Sequence, residues 1–290
     1  MPVKFIAEVS SNHACDLNRM KRFIAASAEA GADAVKFQLF KIDELFAPEI
    51  LTRSKEHRAR KEWELPVKFL PDLARACGEH GLAFSCTPFY LKAVAELEPY
   101  VDFYKIASYE LLWTDLLKEV GATGKPVVLS TGMATMPEVR AAVEALDSVG
   151  ARDITLLHCV SAYPAPLDQC NLAAIETMHS ATGLPVGWSD HTREPAVIER
   201  AVSRWGATTV EFHIDLDGEG AEFRSGHCWL PKEIAPVIER LRKGELADGR
   251  YMKAPSDAEL PDRMWRADPS DGLRPLKQIR EQWAKERAAG

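Results

Sequence analysis

The sequence contains no run of the roughly 18 apolar residues that a membrane-spanning helix needs. Its opening residues, Met1-Pro-Val-Lys-Phe-Ile, enter a strand pattern directly rather than through a signal peptide. A cytoplasmic protein is therefore expected. No C-x-x-C pair occurs among Cys15, Cys77, Cys86, Cys159, Cys170 and Cys228. The cysteines thus read as reduced thiols, with neither a disulfide framework nor a zinc ribbon. Long blocks of one charge are also missing: 43 acidic residues stand against 36 basic ones, interspersed, for a net charge of -7. That balance argues against a dedicated nucleic-acid surface and leaves room for a local positive pocket that takes a small anion.

What is present is a large core and a regular alternation. The 290 residues, 46% hydrophobic, suit one large α/β domain better than two small ones. Strand-length apolar runs are predicted at Lys4 to Ser10, Ala34 to Leu39, Ala83 to Phe89, Phe103 to Ser108, Pro126 to Thr131, Asp153 to Val160, Pro185 to Asp190 and Thr208 to Ile214. Helical stretches separate them, including Leu17 to Ala30 and Val67 to His80, and Gly31, Gly81 and Gly206 stand where a helix ends and the chain turns back. Lys41 to Leu65 is a polar insertion whose charged part, Arg53 to Glu64, reads as a solvated helix. Eight βα units predict a (β/α)8 TIM barrel over residues 1–243, with a doubly wound sheet as the alternative. Residues 244–290, interrupted by Pro255, Pro261, Pro269 and Pro275, read as an extended C-terminal tail packing on a barrel.

A barrel of this kind gathers its chemistry at the C-terminal ends of its strands. There the sequence places Glu8, Lys36 with Gln38, Thr87, Lys105 with Ser108, Ser130 with Thr131, His158, Ser189 with His191, and Glu211 with His213. The two-residue strand period puts Lys36 with Gln38, Ser189 with His191 and Glu211 with His213 on shared faces. If the last two strands are neighbours, His191 and His213 converge on one divalent cation. A single strand-end histidine is more often a hydrogen-bonded core residue; two on adjacent strands favour a ligand pair.

Lys36 and Lys105 carry more weight, because an enclosed ammonium without a partner is costly. At 4 Å and an effective dielectric near 20, a unit pair is worth about 4 kcal/mol. Glu8, Glu110 and Glu211 are available as internal partners. The other reading has both lysines, with the hydroxyls of Thr87, Ser108 and Ser130, cradling a dianion such as a phosphate.

Seven segments then occur in a fixed order: Phe5-Ile-Ala-Glu-Val with Asn12-His13, Gly31-Ala-Asp-Ala-Val-Lys-Phe-Gln38, Ser85-Cys-Thr-Pro-Phe89, Tyr104-Lys-Ile-Ala-Ser108, Gly124-Lys-Pro-Val-Val-Leu-Ser-Thr-Gly-Met133, Leu157-His-Cys-Val-Ser-Ala-Tyr-Pro-Ala-Pro166 and Ser189-Asp-His-Thr192. Together, over residues 3 to 243, they resemble the N-acetylneuraminate (sialic acid) synthase family. That family condenses phosphoenolpyruvate with an N-acylated hexosamine to give a 2-keto sugar acid. The resemblance implies metal ligands at His191 and His213 for a divalent ion, manganese first, with magnesium, cobalt and zinc as alternatives. It implies phosphoenolpyruvate contacts at Lys36, Thr87, Lys105, Ser108 and Ser130, with Ser189 beside them. Glu8 matches the glutamate over the reacting carbons, Glu211 an acidic residue near the metal, and Glu110 and Tyr163 sugar-side contacts.

The chain departs from that pattern in four places. Tyr109 replaces the glycine usual between the matched serine and glutamate, and Ser161 stands where an asparagine often meets both substrates. Asp217-Gly-Glu-Gly-Ala-Glu-Phe-Arg-Ser-Gly-His-Cys-Trp229 replaces the family's Pro-Gly-Pro-Asp stretch. It brings Glu219, Glu222, Arg224, His227 and Cys228 to the mouth, with His227 a candidate extra ligand or acid–base group. Residues 244–290 are too few for the family's C-terminal antifreeze-like domain, whose arginine reaches a partner subunit's sugar site. The expected activity is thus a metal- and phosphoenolpyruvate-dependent condensation with an aldose. The alternatives are a Schiff-base aldolase of 2-keto acids using Lys105 or Lys36, and a non-catalytic paralogue that binds a sugar acid or phosphate. Small molecules are the expected partners; a homodimer is left open, and a non-catalytic paralogue would pair with an active synthase.

Overall fold

A computed structural model of the chain describes residues 2–249 and 251–289. Eight parallel strands close into a barrel in chain order, each paired with its sequence neighbours and β8 with β1. The strands are β1 (Lys4–Glu8), β2 (Ala34–Leu39), β3 (Ala83–Pro88), β4 (Phe103–Ile106), β5 (Val127–Ser130), β6 (Ile154–Cys159), β7 (Val186–Asp190) and β8 (Thr209–His213). The helices outside them are α1 (Leu17–Glu29), α2 (Leu70–Glu79), α3 (Leu91–Leu97), α4 (Thr114–Ala122), α5 (Met136–Asp147), α6 (Ala174–Thr182), α7 (Pro195–Trp205) and α8 (Pro231–Ala247). The predicted TIM barrel is the fold observed.

The strands are covered on both faces, which is why they read as nearly continuous apolar runs. One contiguous core fills the space between barrel and helices: Phe5, Val35, Phe84, Tyr104, Trp188 and Phe212 pack there against Phe23, Leu73, Val94, Leu116 and Ile198. Gly31, Gly81 and Gly206 hold positive φ values of 89°, 69° and 72° in the turns that follow α1, α2 and α7. An L side chain there would strain the backbone, so these glycines are what let short helices return the chain to the next strand.

The strands are one or two residues shorter than predicted, β2 excepted. β1 ends at Glu8 rather than Ser10, because Ser10–His13 coils into a 3-10 turn beginning at a left-handed Ser10. The insertion forms three short helices, Ile42–Leu45, Pro48–Arg53 and Lys55–Ala59, and a 3-10 turn at Arg60–Trp63.

The chain divides into two compact units, Met1–Glu245 and Leu246–Gly290. Within the second, two 3-10 turns precede a helix, α9 (Lys277–Ala289), where the prolines had suggested extended chain. Trp265 and Trp283 pack with ring centroids 5.7 Å apart, and Arg280 pairs with Asp271 at 2.7 Å. Among the described residues no helix is long and apolar enough to cross a membrane.

Candidate active site

Strand register sets the site. Glu8, the last residue of β1, is in register with Lys36 of β2 on one side and His213 of β8 on the other. Ser189 of β7 stands opposite Glu211 of β8. The Lys36 ammonium pairs with Glu8 and lies 3.8 Å from Glu211 Oε2. Glu211 Oε1 lies 3.6 Å from Lys105 Nζ and accepts the Ser189 hydroxyl at 3.0 Å. All six side chains are buried.

Two cations and two anions therefore share one buried layer, and Glu8 and Glu211 are the lysines' internal partners. Glu110 is not within ion-pair distance of either lysine. Burial pulls the Lys36 pKa down, but the Glu211 and Glu8 carboxylates more than offset it and leave it raised. For Lys105 burial wins: its pKa is lowered despite Glu211, with Lys36 adding to the effect. Burial would raise Glu211, yet Lys105 and Lys36 hold its carboxyl below the ordinary carboxylate range.

Hydroxyls and a backbone N–H surround this cluster. Lys36 Nζ donates to Thr87 Oγ1 at 3.4 Å, and Lys105 Nζ to the Ile106 carbonyl at 3.0 Å. The Gly132 N–H donates to Ser108 Oγ at 3.0 Å. A Cβ at Gly132 would collide with Ser161 Oγ and lie 2.9 Å from Ser108 Oγ, so only glycine lets the backbone approach here. Ser130 ends β5 and is buried. Ser161 Oγ and Glu110 Oε2 are buried without a hydrogen-bond partner, and burial lifts the Glu110 carboxyl to about 7 against the pull of Lys105. Tyr109 beside it is exposed. Gln38 Nε2 donates to Glu8 Oε1 at 2.7 Å and to Ser10 Oγ at 3.2 Å.

The two histidines meet. β7 neighbours β8, His191 follows the last residue of β7, and the His191 and His213 ring centroids are 5.4 Å apart. His191 Nδ1 lies 2.7 Å from the Val160 carbonyl oxygen. A carbonyl only accepts, so Nδ1 carries the proton and Nε2 keeps its lone pair. Burial, with His213 nearby, lowers the His191 pKa to about 3, which keeps the ring neutral. A neutral imidazole fixed by a backbone carbonyl is what a divalent ion asks of a histidine ligand. Tyr163 covers the group, its ring 4.3 Å from that of His191 and 4.9 Å from that of His227. His158, the remaining strand-end histidine, lies on the opposite face of β6 from Cys159. Its Nε2 lies 2.9 Å from the Cys170 carbonyl oxygen and its ring packs 5.4 Å from Trp188, so it belongs to the barrel–helix interface.

The loop after β8 turns back over the site. Ile214 and Trp229 form a parallel bridge, with Trp229 N–H donating to the His213 carbonyl at 2.8 Å. Asp215 accepts the N–H groups of Gly218 and Gly220 at 2.7 and 3.1 Å, and Arg19 clamps Asp215 and Asp217 at 3.0 and 2.7 Å. Asn12 accepts the Glu222 N–H at 2.8 Å. Held in this way, Glu222 Oε2 comes 3.2 Å from His213 Nδ1 and 3.6 Å from His227 Nε2. His213, Glu222, His227 and Cys228 place donor atoms within 4.8 Å of one another. The side chains present thus fit a divalent cation by donor type and by proximity.

Sequence reasoning undervalued three residues here. Glu222 and Cys228 were assigned to the mouth without a role, because spacing along a loop does not say which residues its folding brings together. Asp190 was passed over. It is fully buried and accepts Trp188 Nε1 at 3.1 Å, Thr192 Oγ1 at 2.7 Å, the Arg193 N–H at 3.1 Å and Trp229 Nε1 at 3.0 Å. Its place between Ser189 and His191 in the strand-end tetrapeptide was the available signal.

The NeuB family model matches residues 23–253 of the chain. The N,N'-diacetyllegionaminic acid synthase of Campylobacter jejuni is 34% identical over 267 residues, covering 88% of this chain and 80% of that protein. The pseudaminic acid synthase of Helicobacter pylori is 32% identical over 265 residues, covering 86% and 76%. The crystal structure of an N-acetylneuraminic acid synthetase from Leptospira borgpetersenii, in complex with citrate, superposes with a TM-score of 0.81 at 30% identity, covering 90% of each chain.

Proposed function

The chain belongs to the NeuB family, and from that premise we propose that it is a phosphoenolpyruvate-dependent synthase. It joins phosphoenolpyruvate to an N-acylhexosamine-like aldose, forming a sialic-acid-like 2-keto sugar acid and releasing phosphate. The observation that carries this reading is the buried Glu8–Lys36–Glu211–Lys105 cluster opening onto paired imidazoles in one barrel mouth. Residues 1–243 are the catalytic unit and 244–290 an accessory tail.

Lys36 and Lys105, with the hydroxyls of Thr87, Ser108, Ser130 and Ser189, hold the phosphate through the reaction by positioning and charge neutralisation. Ser161, Glu110 and Tyr163 line the sugar side. His191 and His213 would hold a divalent ion, manganese by preference, which when bound would supply Lewis acidity toward the acceptor aldehyde. C3 of phosphoenolpyruvate forms the new bond to the aldehyde carbon, which leaves C2 electron-poor. Glu8, oriented by the Gln38 amide, directs water onto C2, and the tetrahedral centre that results expels phosphate by C–O cleavage. Glu211 holds both ammonium groups in register beneath the phosphate. Water labelled with heavy oxygen then places its label in the keto acid; label in the released phosphate would count against this order of events.

The lowered Lys105 pKa favours one second reading, a Schiff-base aldolase with Lys105 as nucleophile. Borohydride trapping of a substrate adduct that persists in chelator would establish it. The deciding experiment for the synthase is a phosphate-release screen of acceptor aldoses with phosphoenolpyruvate, with and without chelator. Release with one class of N-acylated aldose, abolished by chelator and restored by Mn2+, is the expected result. No release with any aldose, alongside tight phosphoenolpyruvate binding by calorimetry, would mark the chain as a non-catalytic binder.

A further inference from the structure

Two strand-end imidazoles do not account for what lies around His213. His227, buried and one residue from Cys228, has its ring centroid 4.7 Å from that of His213, closer than His191 at 5.4 Å. Its Nδ1 is buried without a hydrogen-bond partner. Glu222 Oε2 lies between the two rings, 3.2 Å from His213 Nδ1 and 3.6 Å from His227 Nε2. We propose that Glu222 and His227, on the loop between β8 and α8, are ligands of the ion held at His213, so that this chain closes its metal site with the loop.

Three observations besides proximity support this. First, the protein's own contacts hold the loop: Asn12 and Asp215 receive its N–H groups, and a Cβ at Gly220 would collide with both of those side chains. A side chain on a pre-set loop binds without a large ordering cost. Second, the other Glu222 oxygen accepts the Ser10 hydroxyl, and Ser10 in turn accepts from Gln38, whose amide also reaches Glu8. The carboxylate is therefore oriented by the network that orients Glu8, as the partners of metal ligands commonly are. Third, the donor set is chemically coherent. Imidazoles with a carboxylate suit a divalent first-row ion.

The inference rests on the proposed synthase reading for the presence of a metal at His213, and its test separates the two. Metal-free protein is titrated with Mn2+ by calorimetry for the wild type, His213→Ala, Glu222→Gln and His227→Asn, with thermal melting of each metal-free protein as a control for folding. Glu222→Gln and His227→Asn should each weaken Mn2+ binding roughly tenfold or more while the metal-free melting point stays unchanged. Unchanged affinity in either variant overturns the proposal. If that happens while His213→Ala still loses the ion, the loop ligands fail and the two-imidazole site stands; if His213→Ala also keeps it, the metal reading itself fails. Should a variant melt early, the wild type decides: Zn2+ titration followed by the ring nitrogen signals of His227 should move them, and signals that stay in place overturn the assignment.

Discussion

Glu211 Oε1 lies 3.6 Å from Lys105 Nζ, and the other oxygen of the same carboxylate lies 3.8 Å from Lys36 Nζ. One buried anion thus serves two buried cations, and Glu8 reaches only Lys36. Glu211→Gln should destabilise the protein by about 3–5 kcal/mol, because it strands an ammonium away from water. Adding Lys105→Met to that variant should recover much of the loss, since the stranded charge is then gone. Urea denaturation of the four proteins measures both. Simple additivity in that cycle would mean that the two side chains do not interact.

The imidazole pair makes a prediction about activity rather than stability. His191→Ala and His213→Ala should each abolish Mn2+-dependent phosphate release while the far-ultraviolet circular dichroism stays native. Phosphoenolpyruvate affinity should change far less than turnover, because neither variant alters Lys36 or Lys105, the proposed phosphate contacts. Full activity in one variant removes that histidine from the ligand set.

The barrel was legible because its signals are local. Apolar runs, two-residue alternation and helix-ending glycines sit within a few residues of one another, and β2 starts and ends where the sequence placed it. Strand-end chemistry was legible for the same reason: Glu8, Lys36 and His213 owe their convergence to register alone. What escaped depends on contacts between residues far apart in the chain. Ser10 turns out of the strand, and its hydroxyl meets Glu222, 212 residues later. Glu222 reaches His213 only because Asn12 and Asp215 hold the loop. No periodicity encodes such a contact. His158 shows the converse error, since lying near a strand end does not put a side chain on the inner face; the neighbour Cys159 has that face.

Glu110 gives a pH signature. Its carboxyl is raised to about 7 from an ordinary 4.5, so between those values the native state holds a proton that the unfolded chain has released. Stability must then fall as pH rises through that window, with the full cost present above it and none below. The shift corresponds to roughly 3 kcal/mol. His13, buried and lowered to about 4, works in the opposite direction over an overlapping range. The clean readout is therefore the difference between wild type and Glu110→Gln, which should grow in favour of the variant from pH 4.5 to 7. A difference that stays flat across that range would show that the carboxyl titrates normally.

Asp190 ties the two halves of the barrel mouth together. Its Oδ1 accepts from Trp188 and Thr192 on the β7 side, and its Oδ2 accepts from the Arg193 N–H and from the indole of Trp229 at the root of the β8 loop. Asp190→Asn keeps the shape but turns one acceptor into a donor that faces other donors. A buried N–H without a partner costs about 1–3 kcal/mol, so Asp190→Asn should lower the unfolding free energy measured in urea by at least that much. Trp229→Phe removes one of the same bonds from the other side. The two substitutions together should cost less than the sum of their separate effects, because the second has no bond left to break. Strict additivity would mean that the Trp229–Asp190 bond contributes nothing, and that the packing of Trp229 alone fastens the loop.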